Sequence, residues 1–241
     1  MEVHHHPNVE KKNFKQYFLE FLMIFLAVTM GFFAESMRDH FAEKKISRQY
    51  LETFRQELIN NKNTFRFADS VYNTIIPAQD SIIKIFFNKK ENENLVTVAR
   101  LLKRVKRTVN PIIDKAAYQQ MVNSGGLKNI DNIKLRDSLS EYVGRIDGFE
   151  VYNSISYNRL ANALPELMKL EDVHDFSPQI QDQNIIPVIS PYPELTERER
   201  RLIIYYYTNF TIQFKADKRL IHRLDESNTY IMEMVEDELK K

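Results

Sequence analysis

The feature that most constrains this chain is an uncharged apolar run near its N-terminus, at residues 21–34. Apolar residues 17–19 extend this run and are separated from it only by Glu20. As an α-helix, residues 17–34 would measure about 27 Å, close to the roughly 30 Å hydrocarbon core of a bilayer. The sequence therefore predicts a transmembrane helix at residues 17–36. The side chains expected to form the membrane anchor are Phe21, Leu22, Ile24, Phe25, Leu26, Val28, Phe32 and Phe33.

Two other interpretations of the apolar run compete with an anchor. A cleaved signal peptide needs small residues before its cleavage site, but Phe32 occupies such a position. The core helix of a soluble protein is the second alternative, because an apolar run of this length also occurs in soluble cores. The run is apolar on every face, whereas the later predicted helices each have a polar face. This difference favours an uncleaved anchor.

Basic residues flank the apolar run on both sides and leave its orientation undecided. The N-terminal flank carries Lys11, Lys12 and Lys15, and the C-terminal flank carries Arg38, Lys44, Lys45 and Arg48. Under the positive-inside rule, the residues nearest the run favour a cytoplasmic N-terminus, but a wider window slightly favours the reverse.

Composition limits the classes of function open to the rest of the chain. After an N-terminal arm and anchor, about 200 residues remain, enough for one domain with a substantial core. The 5 glycines argue against Gly-rich phosphate loops, and the net charge of +1 argues against bulk nucleic-acid binding. Because the chain has no cysteine, it has no disulfides, no thiolate metal ligands and no cysteine nucleophile.

A heptad-like stripe follows the anchor. Apolar residues recur at alternating spacings of three and four, with polar Asn61 and Gln79 in the series and an expected kink at Pro77. The apolar members are Leu51, Phe54, Leu58, Phe65, Ala68, Tyr72, Ile75, Ile82 and Phe86. The pattern predicts that the membrane helix continues directly into a long extramembrane helix.

Three further helices are predicted before residue 172. Asn94 can cap a helix that Pro111 ends, and Pro111 can open the next helix, which stops at the glycine pair 125–126. Another helix begins at Leu127 and continues toward residue 160. The apolar positions of the first of these helices are Leu95, Val98, Leu102, Val105 and Val109.

The C-terminal part of the chain combines an irregular segment with a long helix. Residues 172–195 are rich in proline and glutamine, which indicates an extended surface connection. Thr196 and Glu199 form a capping box that restarts helical structure. The following stripe contains polar Asp217 and Asn228. Its apolar members are Ile203, Tyr207, Phe210, Phe214, Ile221, Leu224, Ile231 and Val235.

These patterns predict an all-α protein in which an N-terminal transmembrane helix is followed by a long-helix antiparallel bundle. The expected units are a polar arm at 1–16, the transmembrane helix at 17–36 and the first part of the bundle at 37–171. The Pro-rich connection at 172–195 then leads to a C-terminal helix at 196–241 that completes the bundle.

Two segments resemble an uncharacterised family of single-span Bacteroidota membrane proteins, a domain of unknown function. They are the N-terminal VHHHPNVEKKNFKQYFLEFLMIFLAVTMGFFAESMRDHFAEKK and the internal AYQQMVNSGGLKNIDNIKLRDSLSEY. The family has no assigned activity, so the resemblance implies no catalytic residue. It implies a single inner-membrane span with a cytoplasmic N-terminus and a large periplasmic domain.

No metal, cofactor or catalytic site is predicted. Histidines 4–6 could bind a metal, but three adjacent residues in a tail rarely close a tetrahedral site. His40, His174 and His222 are isolated and lack the helical spacing of metal ligands. Ser124 lacks the Gly-x-Ser-x-Gly elbow of serine hydrolases and is interpreted as a turn residue. The chain is therefore predicted not to be an enzyme.

One basic run is a candidate binding face for an anionic partner. On a helix its residues lie opposite the apolar stripe that begins at Leu95, where anionic lipid, a polyanion or an acidic protein could bind them. A simple solvated face is the alternative. The run consists of Arg100, Lys103, Arg104, Lys106 and Arg107.

Two observations bear on self-association. Ala27 and Gly31 form a small-xxx-small pair that would let two anchors approach closely. Polar stripe residues such as Asn61, Asp217 and Asn228 can also set the register of associating helices. Alternatively, all three remain inside the bundle of a single chain.

The sequence therefore predicts a membrane-anchored, non-catalytic helical protein that acts as an interaction or sensing accessory in the cell envelope. Its expected partners are the lipid bilayer and either another protein or a second copy of the chain, with no nucleic acid. One alternative is a periplasmic bundle that binds a small molecule beside Tyr118, Tyr205 and Tyr206. Another is a cytoplasm-facing adaptor that uses the basic face at residues 100–107.

Overall fold

The computed structural model is all-α apart from one short hairpin, which confirms the predicted fold class. The helices are α1 Phe14–Phe87, α2 Leu95–Val105, α3 Ala116–Asn123, α4 Ile133–Glu171 and α5 Glu197–Leu239, with a 3-10 turn at Gly126–Asn129. The structure describes residues 13–93, 95–105, 109–171, 178–181, 184–187 and 195–240.

Helix α1 is a single helix of 74 residues, which confirms that the apolar run continues directly into the helix that carries the heptad-like stripe. At 1.5 Å per residue it is about 110 Å long. The helix continues through Pro77, where the sequence predicts a kink. Pro77 lies on an exposed face, where its ring does not disturb the packed side of the helix.

The predicted heptad-like stripe of α1 forms the core of the bundle. Its buried residues begin at Ser47 and keep spacings of three and four as far as Phe86. Asn61 and Gln79 are both buried within this series, as the pattern predicts. The stripe therefore marks which side of α1 the other helices cover.

Helix α5 packs antiparallel against both α1 and α4. Arg55 Nη2 on α1 lies 3.2 Å from Glu236 Oε1 near the end of α5, whereas Lys89 just after α1 pairs with Glu197 at the start of α5. The same direction holds against α4, since Tyr142 bonds to Asn228, whereas Tyr152 further along α4 bonds to Gln213 earlier in α5. Helices α1 and α4 therefore run in one direction and α5 returns between their faces.

Two apolar clusters fill this bundle along its length. The larger one joins α1, α3, α4 and α5 and extends from Leu51 to Ile75 on α1. The smaller one joins the far end of α1 to α2 and to the start of α5, and it includes Phe86, Leu102 and Ile203. Burial of these apolar surfaces is the main favourable contribution to folding.

The start of α3 differs from the prediction, because the helix begins at Ala116 rather than Pro111. Asn61 on α1 holds the preceding segment: its amide donates to the Asp114 carbonyl at 2.8 Å and accepts from the Asp114 amide at 2.7 Å. Glu57 Oε1 then accepts a bond from the Ala117 amide at 2.7 Å. A cap supplied by α1 therefore fixes where α3 starts.

The glycine pair ends α3 as predicted. Gly125 has a φ of +71°, the left-handed conformation that glycine adopts readily. Helix α4 begins at Ile133 and not at Leu127, because a 3-10 turn covers residues 126–129. Ser124 is a turn residue, since its Oγ accepts from the Gly126 amide at 3.3 Å.

The segment predicted as an extended connection contains two short strands, β1 Pro178–Gln181 and β2 Asn184–Pro187, which pair antiparallel. The remainder of the connection at 172–177, 182–183 and 188–194 lies outside the described residues, as does the predicted cap Asn94. Helix α5 starts at the predicted capping box: the Thr196 amide donates to Glu199 Oε2 at 2.8 Å.

One position of the α5 stripe is reassigned. Thr211 is buried and donates from Oγ1 to Gln79 Oε1 at 3.1 Å, whereas Phe210 is only half-buried. The apolar pattern placed Phe210 in the stripe because threonine is polar. The hydroxyl of Thr211 is nevertheless acceptable in the core, since Gln79 is its buried hydrogen-bond partner. Phe210 instead lies beside a cavity between α4 and α5.

Candidate functional site

The predicted anchor is the exposed N-terminal part of α1. Within Phe14–Phe87 the structure contains a helical stretch long and apolar enough to cross a membrane, and none of it is buried. Phe21, Met30 and Phe32 are 63%, 70% and 71% exposed. Since the stretch contributes nothing to the core of the described chain, the core-helix interpretation is not supported.

A helical spacer separates this apolar stretch from the bundle. Residues 35–46 of α1 are all exposed and span about 18 Å. Met37 and Phe41 project from the spacer, and Lys44 Nζ lies 3.1 Å from Asp131 Oδ2 beside the 3-10 turn. Because helix continues through the spacer, α1 links the apolar stretch to the bundle without a flexible joint.

The polar stripe residues all form hydrogen bonds within one chain. Asn61 binds the backbone of Asp114, Asn228 donates to the Leu58 carbonyl at 2.9 Å, and Asp217 accepts from Gln213 at 2.9 Å. The other observation on self-association is the Ala27–Gly31 pair. Both residues are exposed, and a methyl group added at Gly31 would contact nothing.

The basic run is only partly described. Arg100 and Arg104 are exposed on α2, and neither forms an ion pair with any described residue. Their helix is held to the bundle by buried Val98 and Leu102 on its opposite face, as the pattern predicts. Arg104 borders a groove against α1. The side chain of Lys103 and the whole of Lys106 and Arg107 lie outside the described part.

A cavity of about 400 Å³ lies between α4 and α5. Its aromatic side comes from consecutive turns of α5, where the Tyr205 and Tyr206 rings lie 5.8 Å apart and Phe210 stacks on Tyr206 at 6.3 Å. Arg159 on α4 borders the cavity and is exposed. Apolar walls with a few polar groups are typical of small-molecule sites.

A polar cluster lies at the buried side of this cavity. Gln213 Nε2 is 2.9 Å from Asp217 Oδ1, 2.7 Å from the Tyr152 hydroxyl and 2.6 Å from Ser156 Oγ. Asp217 is only 3% exposed and Ser156 6%. The cluster therefore joins three hydrogen-bond acceptors to a single amide group.

Burial raises the pKa of the Asp217 carboxyl from its ordinary 3.8 to about 6, while the bond from Gln213 lowers it. No described lysine or arginine forms an ion pair with this carboxylate. Burial raises the pKa of the Tyr72 hydroxyl on α1, and the nearby charge of Asp217 raises it further. That hydroxyl has no hydrogen-bond partner among the described residues.

The structure brings together only part of the tyrosine set that the sequence suggested. Tyr205 and Tyr206 border the cavity, but Tyr118 lies elsewhere in the bundle, where its hydroxyl donates to Ser140 Oγ at 3.0 Å. That bond places Tyr118 on α3 against the first turns of α4. The predicted three-tyrosine site is therefore wrong for Tyr118.

The described histidines form no metal site. His222 Nε2 is 2.9 Å from Asp69 Oδ1, but the side chain is 56% exposed and Lys218 lies beside the same carboxylate. His40 is exposed on the spacer. Among the described residues no group of three or more metal-ligating side chains is present. Histidines 4–6 and His174 lie outside that part of the chain.

Sequence reasoning missed Tyr152, Ser156 and Gln213, and it gave Asp217 only a stripe position. One signal could have indicated the site: Gln213 and Asp217 are four residues apart and therefore adjacent on one face of α5. Nothing in the sequence shows that Tyr152 and Ser156 face them from α4. That juxtaposition depends on the register between two helices distant in the chain.

No known protein family, curated protein or solved structure matches this chain.

Proposed function

We propose that this protein is a membrane-anchored, non-catalytic helical bundle that acts as an interaction or sensing accessory in the cell envelope. The observation that carries the proposal is the continuity of α1 from an exposed apolar stretch into the core of the bundle. An exposed apolar face of this size in water is unfavourable, and insertion into a bilayer removes it from water.

The continuous helix also restricts how such a protein would act. A change in the packing of α1 within the bundle would be transmitted to the anchor as a tilt or rotation, because no loop intervenes at residues 35–46. Helix α5 ends beside the same region, where the Leu239 carbonyl accepts a bond from Arg48. Both features suit a protein whose conformation is sensed by a second protein in the membrane.

Membrane attachment is tested with paired charge substitutions. We expect Leu26→Arg with Met30→Arg to release the chain from the bilayer into an alkaline carbonate wash, because each charge opposes insertion at the centre of a span. The control is Met37→Arg with Phe41→Arg, which has the same spacing on the spacer and should remain in the membrane fraction. Equal extraction of both variants would contradict an anchor at residues 17–36.

Orientation is tested with C-terminal fusions to alkaline phosphatase and to green fluorescent protein. A periplasmic domain gives phosphatase activity without fluorescence, and crosslinking in intact cells would then seek an envelope partner. Fluorescence without phosphatase activity would overturn the periplasmic location. It would support the adaptor that uses the exposed Arg100 and Arg104.

A second candidate function is small-molecule binding by the bundle. The observation that favours it is the cavity between α4 and α5, in which Tyr206 and Phe210 face a buried polar cluster. Its volume of about 400 Å³ falls within the range of small-ligand sites. Binding of a ligand that raises the melting temperature of the full chain tests this function.

A further inference from the structure

We propose that the cavity between α4 and α5 binds an organic ammonium ligand, with Asp217 as counter-ion and the aromatic wall that begins at Phe210, about 10 Å away along α5, against the apolar body of the ligand. This proposal rests on the small-molecule function and specifies the chemistry of its ligand. It does not depend on which side of the membrane the bundle occupies.

The polar cluster supplies Asp217 with neutral donors only. Gln213 Nε2 has two hydrogens but lies within 2.9 Å of three acceptors, on Tyr152, Ser156 and Asp217. The hydroxyl hydrogen of Ser156 is already used, because its Oγ donates to the Tyr152 carbonyl at 2.9 Å. An ammonium group carries up to three donors and would add a charge-assisted bond to the Asp217 carboxylate, which the neutral Gln213 amide and Tyr152 hydroxyl do not provide.

The charge balance points to a cation. Asp217 is 3% exposed and has no ion-pair partner among the described residues, so its carboxylate is a buried charge without compensation. Removing an unpaired charge from water is costly, and a bound cation would offset that cost. The Tyr72 hydroxyl does not provide the compensation, since no acceptor is bonded to it.

The aromatic wall fits the same class of ligand. Tyr205, Tyr206 and Phe210 lie in consecutive contact along α5, with ring centres 5.8 and 6.3 Å apart. The faces of such rings attract cations and also pack against flat apolar groups. The cavity therefore offers one polar end at Asp217 and one apolar end at the rings.

Among the described residues, Arg159 is the cation that borders this cavity, and it argues against a ligand of high positive charge. Its side chain is exposed, unlike that of Asp217, so solvent screens its repulsion. A monovalent amine with its ammonium at the buried end is the ligand class most compatible with both residues. An anionic ligand would instead place its charge at Arg159 and leave Asp217 uncompensated.

The test uses three probes that share a phenol ring and differ in charge. They are tyramine, which is a cation at pH 7.5, neutral 4-ethylphenol and anionic 3-(4-hydroxyphenyl)propionate. Calorimetric titration of the full chain in detergent should show tyramine binding at least tenfold more tightly than either of the other two.

Asp217→Asn should lower the affinity for tyramine at least tenfold and leave that for 4-ethylphenol unchanged, because the amide retains an acceptor for Gln213 but has no charge. The matched control Asp237→Asn removes an exposed carboxylate at the far end of α5 and should change neither affinity. Arg159→Gln, an exposed substitution that does not perturb the core, should raise the affinity for tyramine about twofold or more.

The outcomes separate this proposal from the small-molecule function beneath it. Equal binding of tyramine and 4-ethylphenol, or unchanged tyramine binding by Asp217→Asn, would overturn the ammonium assignment and leave a ligand cavity in place. A preference for the propionate would also overturn the ammonium assignment and would indicate an anion site at Arg159. Absence of binding by all three probes at millimolar concentration would overturn both.

Discussion

The Tyr142 hydroxyl donates a 2.7 Å hydrogen bond to Asn228 Oδ1 in the centre of the bundle and thereby joins α4 to α5. Asn61 Nδ2 on α1 lies 3.4 Å from the same hydroxyl, and Asn228 Nδ2 donates to the Leu58 carbonyl at 2.9 Å. The three polar side chains are at most 1% exposed. Together they fix the register of the three long helices, since a shifted helix would leave one of them unpaired.

Tyr142→Phe is therefore expected to destabilise the bundle by about 1–3 kcal/mol, because Asn228 Oδ1 would remain buried without its donor. Tyr230→Phe is the matched control: Tyr230 is 46% exposed on the same interface, and its change should be within about 0.5 kcal/mol. Chemical denaturation of the full chain in detergent measures both. Equal stabilities of the two variants would show that the network does not contribute.

Asp217 makes the stability of the bundle depend on pH in a direction opposite to that of most carboxylates. Because burial raises its pKa from 3.8 to about 6, the folded chain binds this proton more tightly than the unfolded chain between those values. The stabilising contribution is therefore fully present below pH 3.8 and is lost as the pH rises through 6. A difference of about two pKa units corresponds to roughly 3 kcal/mol.

Asp217→Asn should consequently be more stable than the original chain at pH 7.5. It should also lack the fall in stability that Asp217 causes as the pH rises from 4 to 6. Melting temperatures over pH 3.5 to 8, compared at each pH with those of Asp237→Asn, isolate this residue from other titrating groups. A profile for Asp217→Asn that runs parallel to that of the control variant would refute the assignment.

Much of the fold is readable from local sequence, and the register between helices is not. The stripe from Leu51 to Phe86, the capping box at Thr196 and the left-handed stop at Gly125 are set by neighbours within a few residues, and the structure confirms all three. The start of α3 was mispredicted, since Asn61 and Glu57, more than fifty residues away, hold that segment.

The same distinction explains what was missed at the cavity. Asp217 could be recognised as a polar residue within an apolar stripe, but its neighbours Tyr152 and Ser156 approach from another helix. The proximity of these residues to Asp217 depends on the register between α4 and α5. Thr211 was overlooked for a related reason: its bond to Gln79 makes a hydroxyl acceptable where the pattern required an apolar group.

A buried ion pair fastens the start of α5 to the turn after α1. Arg200 Nη2 lies 2.6 Å from Glu91 Oε1, with side-chain exposures of 12% and 5%. We expect Arg200→Met to cost about 3–5 kcal/mol, because it leaves the Glu91 carboxylate buried without its cation. Adding Glu91→Leu should recover much of that loss. Lys169→Met, which breaks an exposed pair with Glu166, is the control and should change stability by less than about 1 kcal/mol.

Two glycines of the described chain make a paired test of how closely the 3-10 turn approaches α1. A methyl group at Gly126 would lie 3.1 Å from Cε2 of Tyr50 and 3.2 Å from Ser124 Oγ, so Gly126→Ala should displace the turn and destabilise the bundle by about 1–3 kcal/mol. Gly144 lies on an exposed face of α4, and a methyl group there would contact nothing. Gly144→Ala should therefore stabilise the protein by about 0.5–1 kcal/mol, because alanine has the higher helix propensity. Thermal unfolding of the two variants side by side measures the difference, and a stabilising Gly126→Ala would show that the tyrosine ring yields freely and does not set the position of the turn.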